Sequence, residues 1–313
     1  MIFQQNIPLA QYSNYKIGGP AKLFVEVKTK DELVDALARA KQLQERIFIL
    51  GGGNNLLISD AGFSGAVIKI SIAGSGLDEK HVLTIGAGAL VSDLLRFTLL
   101  QSLSGWEWAG GLPGTIGGAI WGNAGAFGGE TKDTVVEVTS LALETLETKV
   151  RNRAKCEFDY RTSIFKEQEQ QGVKEVIIGA KFQLRPGLRA EIESTITDRV
   201  NYRIARQPLE YPNIGSIFKN IRIDKVSKQT LDEFRAMIKN DPFPVVPVAA
   251  LSSAAGLKGF RIGDAMVSPK HPNFIVNMGQ ATAVDVKAVM AHVKEALREK
   301  FGVELEQEVI FVE

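Results

Sequence analysis

The chain has 313 residues, roughly two to three times the size of a typical domain, so its length favours two or three domains. Its 37 Lys and Arg residues against 36 Asp and Glu residues leave a net charge of +1, which argues against nucleic acid or a membrane surface as a partner. The single cysteine, Cys156, excludes an internal disulfide and a cysteine-based metal site.

The N-terminus has neither the basic nor the apolar region of a signal peptide, and no apolar run of about 18 residues occurs anywhere. A lone cysteine also suits a reducing compartment. We therefore expect a cytoplasmic protein without a membrane anchor.

The first 70 residues alternate strand patterns with one helical pattern. Strands are predicted at 22–27, 47–50, 56–58 and 66–70, and a helix at 31–43, where apolar residues recur at helical spacing. Thr29-Lys-Asp-Glu32 has the spacing of a capping box before that helix. A first domain is predicted over 1–70.

The rest of the chain divides at Pro186-Gly187. Before it we predict strands at 82–85, 134–143 and 173–184 and a helix at 89–103. After it we predict helices at 190–206, 231–239 and 282–300 and a strand at 304–312. This gives a second domain over 71–186 and a third over 187–313.

A glycine-dominated segment spans 105–129 and holds ten of the chain's 30 glycines but no Lys or Arg. Its large apolar residues, such as Trp106, Trp108 and Phe127, need burial, so it is not a flexible linker. Glycines allow close approach of a ligand, and successive N–H groups in such a loop can converge on a phosphate. The segment predicts a site for a diphosphate cofactor.

The glycine run Gly51-Gly-Gly-Asn-Asn55 follows a buried strand but lacks the spacing of a Rossmann site, and no P-loop signature occurs in the chain. Tight turns without a ligand are the alternative interpretation of both glycine segments. His81, His271 and His292 are too scattered to indicate a metal cluster, so we predict no metal.

Two sets of motifs carry a resemblance to a known flavin fold. Leu50-Gly-Gly-Gly-Asn-Asn-Leu-Leu57 together with Gly111-Leu-Pro-Gly-Thr-Ile-Gly-Gly-Ala119 and Asn123-Ala-Gly-Ala-Phe-Gly128 resembles the paired pyrophosphate loops of the vanillyl-alcohol-oxidase (PCMH) type of FAD-binding fold. The resemblance implies an α+β fold in which two subdomains, 1–70 and 71–186, bind FAD. The implied cofactor residues are Gly51, Gly52, Gly53, Asn54, Asn55, Leu56, Gly111, Pro113, Gly114, Thr115, Gly117, Gly118, Asn123, Gly125 and Ile177.

Four separated blocks extend the resemblance to nearly the whole chain. They are Tyr15-Lys-Ile-Gly-Gly-Pro-Ala21 with the glycine loops; Phe158-Asp-Tyr-Arg-Thr-Ser-Ile-Phe-Lys166; Arg206-Gln-Pro-Leu with Gly215-Ser-Ile-Phe-Lys-Asn220; and Gly256-Leu-Lys-Gly, Asn273-Phe-Ile-Val-Asn277 and Leu305-Glu-Gln-Glu-Val309. In their order and short-loop layout they resemble the second type of the UDP-N-acetylenolpyruvoylglucosamine reductase family.

This resemblance implies a C-terminal α+β substrate-binding domain over 187–313 and a monomeric enzyme of peptidoglycan precursor synthesis. NADPH would reduce FAD, and hydride would then pass to UDP-N-acetylglucosamine enolpyruvate to give UDP-N-acetylmuramate. By motif, Arg161 would bind the substrate carboxylate and stabilise the enolate, Ser216 would protonate carbon, and Glu308 would act as an acid beside the enolate.

The same motifs place Arg206, Lys219 and Asn220 on the UDP diphosphate and carboxylate. Without the motifs, the two cations, Arg206 and Lys219, are equally well explained as solvated surface groups. Strand alternation puts Glu304, Glu306 and Glu308 on one face, so spacing alone does not choose among them.

The chain departs from the family pattern at a few positions. Ser252-Ser253 replaces an apolar residue and a carboxylate, Asn54 replaces a serine, Ile221 a proline and Gly122 a bulkier residue. Two other functions stay open: a flavin oxidase that uses O₂, and a binding protein that has lost catalysis. The first would often tether its flavin through His or Cys, which both glycine regions lack; the second is disfavoured by Arg161, Ser216 and Glu308.

Overall fold

The computed structural model describes residues 2–172, 174–240 and 242–313. Its α-helices are α1 (Lys30–Gln42), α2 (Val91–Leu100), α3 (Ile116–Trp121), α4 (Ile164–Gln170), α5 (Arg189–Arg206), α6 (Lys228–Phe234), α7 (Val248–Ala254) and α8 (Ala283–Phe301). Its strands are β1 (Gln4–Pro8), β2 (Pro20–Val27), β3 (Ile47–Leu50), β4 (Leu56–Ile58), β5 (Phe63–Ile70), β6 (Ser75–Leu77), β7 (Val82–Gly86), β8 (Leu103–Ser104), β9 (Gly125–Ala126), β10 (Gly129–Glu130), β11 (Val135–Ala142), β12 (Thr148–Asn152), β13 (Glu175–Gln183), β14 (Arg185–Pro186), β15 (Ile221–Arg222), β16 (Lys239–Asn240), β17 (Pro244–Val246), β18 (Arg261–Ile262), β19 (Ala265–Val267), β20 (Ile275–Asn277) and β21 (Ile310–Val312).

Most of the predicted elements are confirmed. β3 and β4 have the predicted bounds, and α1, α5 and α8 begin and end within one residue of the prediction. α2 is shorter at both ends than predicted. The strand predicted at 173–184 appears as β13, although Val173 itself lies outside the described residues.

The capping box predicted for α1 forms only in part. Thr29 Oγ1 accepts a hydrogen bond from the N–H of Glu32, as in a capping box. The Glu32 carboxylate, however, accepts from the N–H of Lys28 at 2.6 Å. Both interactions satisfy N–H groups around the first turn, where a helix has no acceptors of its own.

Two predicted elements are wrong in extent. The helix predicted at 231–239 begins earlier, because Ser227 caps α6 by accepting from the N–H of Thr230, and Lys239 already lies in strand β16. The strand predicted at 304–312 is regular only over β21. Residues before it form a single bridge, Gln307 with Phe218, so the chain there is extended without being part of a sheet.

The chain forms two compact units, each assembled from separate segments. The first contains residues 2–7, 21–52 and 64–202, and the second contains 8–20, 53–63 and 203–313. The predicted division into three domains at 70 and 186 stays a prediction.

The first unit carries two main sheets. One has the strand order β1-β2-β5-β3, in which β3 and β5 are parallel; the other is antiparallel with the order β12-β11-β13-β7-β6. Trp106 is fully buried in its core, lies edge-on to Phe182 and donates its indole N–H to Thr134 Oγ1 at 2.9 Å. The glycine-rich segment is therefore anchored by its aromatic residues, as expected.

The second unit has small sheets with the orders β15-β17-β16 and β18-β19-β20, and a parallel pair, β21 with β4. Its core includes Tyr15, which is fully buried and donates its hydroxyl to the carbonyl of Ile275 at 2.7 Å. Burial raises the pKa of Tyr15 well above its ordinary value, so it stays a neutral donor. None of the helices in the described part of the chain combines the length and apolar character that a membrane-spanning helix requires.

Candidate active site

The first glycine run is shaped by close backbone contacts. Gly53 has φ of +67°, and a Cβ there would lie 1.9 Å from the carbonyl oxygen of Tyr12, so only glycine fits. The carbonyl of Gly53 accepts from the N–H of Asn14 at 3.2 Å. This loop therefore leads directly into β4 with its backbone held close to a neighbouring segment.

The second glycine segment leads into the short helix α3. Thr115 caps it by accepting from the N–H of Gly118. The N–H groups of Ile116 and Gly117 donate to the carbonyls of Ala89 and Ala87, and a Cβ at Gly117 would lie 3.1 Å from the side chain of Ala87. The first N–H groups of α3 are thus already used by protein acceptors, and Gly117 serves close packing.

The two glycine segments meet at Gly51, where an added Cβ would lie 3.1 Å from Thr115 Oγ1. In the described ranges, the backbone N–H groups of Gly52, Gly114 and Thr115, all in the first unit, have no hydrogen-bond acceptor. Donors without acceptors in a loop that lacks side-chain bulk are what a phosphate group requires. The loops therefore fit the diphosphate of a dinucleotide such as FAD.

The other residues predicted to bind cofactor differ in their surroundings. Gly111 and Pro113 precede Thr115, and Leu56 begins β4. Ile177 is on the central strand β13 with 6% of its surface exposed, so its side chain belongs to the core of the first unit. Cofactor contacts of all these residues stay predictions.

Asn123 is fully buried and its side chain is committed to protein groups. Its Nδ2 donates to the carbonyl of Asp159 at 2.9 Å and to Glu130 Oε1 at 3.2 Å, while its Oδ1 accepts from the N–H of Lys132. Because the amide is bonded to protein groups at both ends, any contact of Asn123 with the cofactor would have to come from its backbone. Its amide instead fixes the turn that carries Arg161.

Arg161 lies on that turn in the left-handed region, with φ of +56°. Asp159 and Thr162 pair on either side of it through reciprocal backbone hydrogen bonds. Its guanidinium donates to the carbonyl of Gly125 at 2.8 Å. Left-handed backbone at a residue with a side chain is strained and is typical of functional sites. The structure thus places the predicted carboxylate-binding arginine against β9, in the first unit.

Ser216 and Glu308 come together in the second unit through the backbone segments that carry them. Phe218 bridges Gln307, the N–H of Glu308 donates to the carbonyl of Ile217 at 2.8 Å, and the N–H of Lys219 donates to the carbonyl of Glu306 at 2.9 Å. Two motifs about 90 residues apart in the chain are thereby aligned antiparallel.

The first glycine run also reaches Glu308. Asn55 Nδ2 donates to the backbone carbonyl of Glu308 at 3.0 Å, and the carbonyl of Asn55 accepts from the N–H of Ile310. Asn55 therefore connects a predicted cofactor loop to a predicted catalytic residue through direct hydrogen bonds. This pairing continues into the parallel strands β4 and β21.

The three residues predicted to bind the substrate differ in environment. Lys219 Nζ forms an ion pair with Glu306 at 2.5 Å, and the Lys219 side chain is 16% exposed. Asn220 Oδ1 accepts from the N–H of Val248, so its oxygen is already occupied. Arg206 is exposed at the end of α5. The reasoning from the sequence missed Glu306 as a partner of Lys219, because only pairing with 217–219 brings the two side chains together.

Comparison with known proteins supplies independent findings. Sequence profiles match residues 21–144 as an FAD binding domain and residues 207–312 as the C-terminal domain of UDP-N-acetylenolpyruvoylglucosamine reductase. The chain is 36% identical to the enzyme of that name from Caldanaerobacter subterraneus subsp. tengcongensis, over 98% of this chain and 92% of the other. It is 35% identical to that from Solibacter usitatus, over 97% and 95%.

A solved structure agrees with these relatives. The crystal structure of UDP-N-acetylenolpyruvylglucosamine reductase from Thermus caldophilus matches with a TM-score of 0.75 and 28% identity, covering 100% of both chains. The predicted α+β fold with an FAD-binding domain is therefore confirmed.

Proposed function

Because the chain belongs to the UDP-N-acetylenolpyruvoylglucosamine reductase family and is an FAD-dependent oxidoreductase, we propose that it reduces UDP-N-acetylglucosamine enolpyruvate to UDP-N-acetylmuramate with NADPH. The observation that carries this proposal is the alignment of the Ser216 segment with the Glu308 segment, which Asn55 connects to the first glycine run. NADPH as the preferred donor, a monomeric state and a cytoplasmic location stay predictions from the sequence.

The residues that would hold FAD are those of the two glycine segments. The N–H groups of Gly52, Gly114 and Thr115 would donate to its phosphates. When bound, FAD would supply a two-electron carrier that accepts hydride from NADPH and donates it to the vinyl carbon of the substrate.

The chain's own residues would handle the charge and the proton. Arg161, whose turn is fixed by Asn123 and whose guanidinium donates to Gly125, would bind the substrate carboxylate and stabilise the negative charge that develops on it. Ser216 Oγ would give a proton to the adjacent carbon, and Glu308 would lie beside the enolate as an acid. Lys219 would bind the diphosphate of the UDP group.

The test is the visible spectrum of the purified, FAD-loaded protein. We expect the flavin absorbance to bleach on anaerobic addition of NADPH and to return when UDP-N-acetylglucosamine enolpyruvate is added. Return with O₂ but not with the UDP-sugar would indicate an oxidase. Failure to bind flavin at all would contradict the assignment of both glycine segments.

A further inference from the structure

Asn273 lies beside the segment that carries Ser216 and forms three hydrogen bonds to it. Its Oδ1 accepts from the N–H of Phe218 at 3.2 Å, and its Nδ2 donates to the carbonyl of Phe218 at 2.9 Å. Its backbone carbonyl accepts from the N–H of Ile217 at 2.8 Å. Asn273 is 4% exposed and Phe218 is 2% exposed, so water does not replace these bonds.

Only a carboxamide provides what this position requires. Phe218 presents its backbone N–H and its carbonyl toward Asn273. A carboxamide forms a hydrogen bond with each of them, as the backbone of a neighbouring strand would. A carboxylate of the same shape would accept from the N–H of Phe218. Its second oxygen, however, would face the Phe218 carbonyl oxygen and repel it, because a carboxylate has no hydrogen to donate. An aliphatic side chain would leave both buried groups of Phe218 without partners.

The opposite edge of the same segment is bonded to the Glu308 segment. The carbonyl of Ile217 and the N–H of Lys219 point to Glu308 and Glu306. Residues 217–219 are therefore held on both edges, and Asn273 provides three hydrogen bonds along one of them. Ser216, the proposed proton donor, immediately precedes this stretch, and Lys219, the proposed diphosphate ligand, is its last residue.

We propose that Asn273 is a positioning residue that sets the place of Ser216 and Lys219 through the backbone of Phe218. This inference rests on the proposed function, which gives Ser216 and Lys219 their roles. It assigns to Asn273 no contact with substrate or cofactor.

The chain contains a matched control. Asn277 lies on β20, is 2% exposed, and also uses both ends of its amide: Nδ2 donates to the carbonyl of Tyr15, and Oδ1 accepts from the N–H groups of Gly279 and Ala281. Asn273→Asp and Asn277→Asp therefore make the same chemical change at two buried positions of the second unit.

The experiment compares both variants with the natural protein by thermal unfolding, by the rate of flavin reduction with NADPH, and by the single-turnover rate of flavin reoxidation with UDP-N-acetylglucosamine enolpyruvate. We expect both variants to lose stability. Only Asn273→Asp should slow reoxidation, by at least about tenfold, because displacement of a reacting group by a fraction of an ångström is enough for such a loss. Flavin reduction should stay unchanged in both.

A second measurement separates positioning from general damage. In a Ser216→Ala background, Asn273→Asp should slow reoxidation by a clearly smaller factor than in the natural protein, because only Lys219 then remains to be displaced. Full additivity, or equal slowing by Asn277→Asp, would overturn the proposal. If Asn273→Asp does not fold, Asn273→Ser takes its place. This substitution removes the carboxamide without adding a charge.

Failure of the proposed function gives a different result. If the natural protein is not reoxidised by the UDP-sugar, the proposed function is wrong, whatever the variants do. Amide hydrogen exchange at Ile217 and Phe218 then still tests the hydrogen bonds that Asn273 makes to these residues. We expect faster exchange in Asn273→Asp than in Asn277→Asp. Equal exchange in the two variants would overturn the role of Asn273 independently of the substrate.

Discussion

Ser216 is half-buried at the start of a segment whose next residues are fixed by hydrogen bonds on both edges. Motif resemblance predicted roles for Ser216, Arg161 and Glu308 from the sequence, and these roles stay predictions. The residues that hold them, Asn273 and Asn123, were not identified in these roles, because hydrogen bonds that span 55 and 36 residues leave no local pattern. The sequence thus allows candidate reacting residues to be predicted, whereas the residues that hold them in place are visible only in the structure.

The role of Ser216 predicts a selective loss. Ser216→Ala should leave flavin reduction by NADPH intact and slow substrate reduction by a factor on the order of 10² or more, as removal of a proton donor does. Stopped-flow measurement of the two half-reactions checks this, with exposed Ser253→Ala as the control. Undiminished reoxidation would mean that the proton comes from another group.

Ser252 shows the opposite case, a polar residue that nothing in the structure uses. It is fully buried on α7, and its hydroxyl has no partner within the described ranges. Because a buried hydroxyl without a hydrogen bond is costly, Ser252→Ala should stabilise the protein by about 1 kcal/mol in urea unfolding. Ser253→Ala should change little. Destabilisation by Ser252→Ala would indicate an acceptor that the structure does not reveal.

His271 predicts a pH dependence of stability. Burial, with a contribution from the charge of Lys239, lowers its pKa from 6.5 to about 4. Below pH 6.5 the unfolded chain therefore binds a proton that the folded protein does not, and stability falls until the pH reaches about 4. Between pH 7 and pH 5 the natural protein should lose about 2 kcal/mol more than His271→Gln. Parallel pH curves for the two proteins would contradict this assignment.

At the scale of elements, the sequence predicted those with strong periodicity and a clear cap. α8 was predicted within one residue because Thr282 and Asp285 form a full capping box and Gly302 ends the helix in the left-handed region. The helix predicted at 231–239 was wrong in extent because Ser227 caps α6 earlier and Lys239 pairs with Val245. The strand predicted at 304–312 was wrong in extent because residues 306–308 bond to the distant residues 217–219. Tertiary hydrogen bonds, and not local preference, decide such boundaries.

The N-terminus of α8 has a second acceptor from outside the helix. Both carboxylate oxygens of Asp60 accept from its first N–H groups, those of Ala283 at 2.8 Å and Val284 at 3.2 Å. Asp60→Ala should therefore lower the free energy of unfolding by about 1 kcal/mol. Asp35→Ala, an exposed position within α1, is the control in the same denaturant titration. Equal effects would show that Asp60 adds nothing specific to α8.

At the scale of the whole molecule, segments that are far apart in the chain build one compact unit. The domain divisions at residues 70 and 186 stay predictions, because periodicity and turn residues describe only neighbours along the chain. The second unit gathers 8–20 and 53–63 with 203–313. Its core contains Tyr15, Ile17 and Leu57, which are at most 3% exposed.

This composition predicts the behaviour of a fragment. The fragment 203–313 lacks part of its own core and the strand β4 that pairs with β21, so it should not fold alone. Circular dichroism should show no cooperative thermal transition, whereas the full chain should show one. Addition of the fragment 1–202, which contains 8–20 and 53–63, should restore structure. A cooperative transition in 203–313 alone would contradict the prediction.

The parallel pairing of β4 with β21 also has a consequence during synthesis on the ribosome. Leu57 leaves the ribosome about 250 residues before its partner Phe311. At about 5–20 residues per second, that delay is roughly 13–50 s, during which Tyr15, Ile17 and Leu57 remain without the core that buries them. Nascent chains of this protein should therefore depend on chaperones that cover apolar segments near the N-terminus until translation ends.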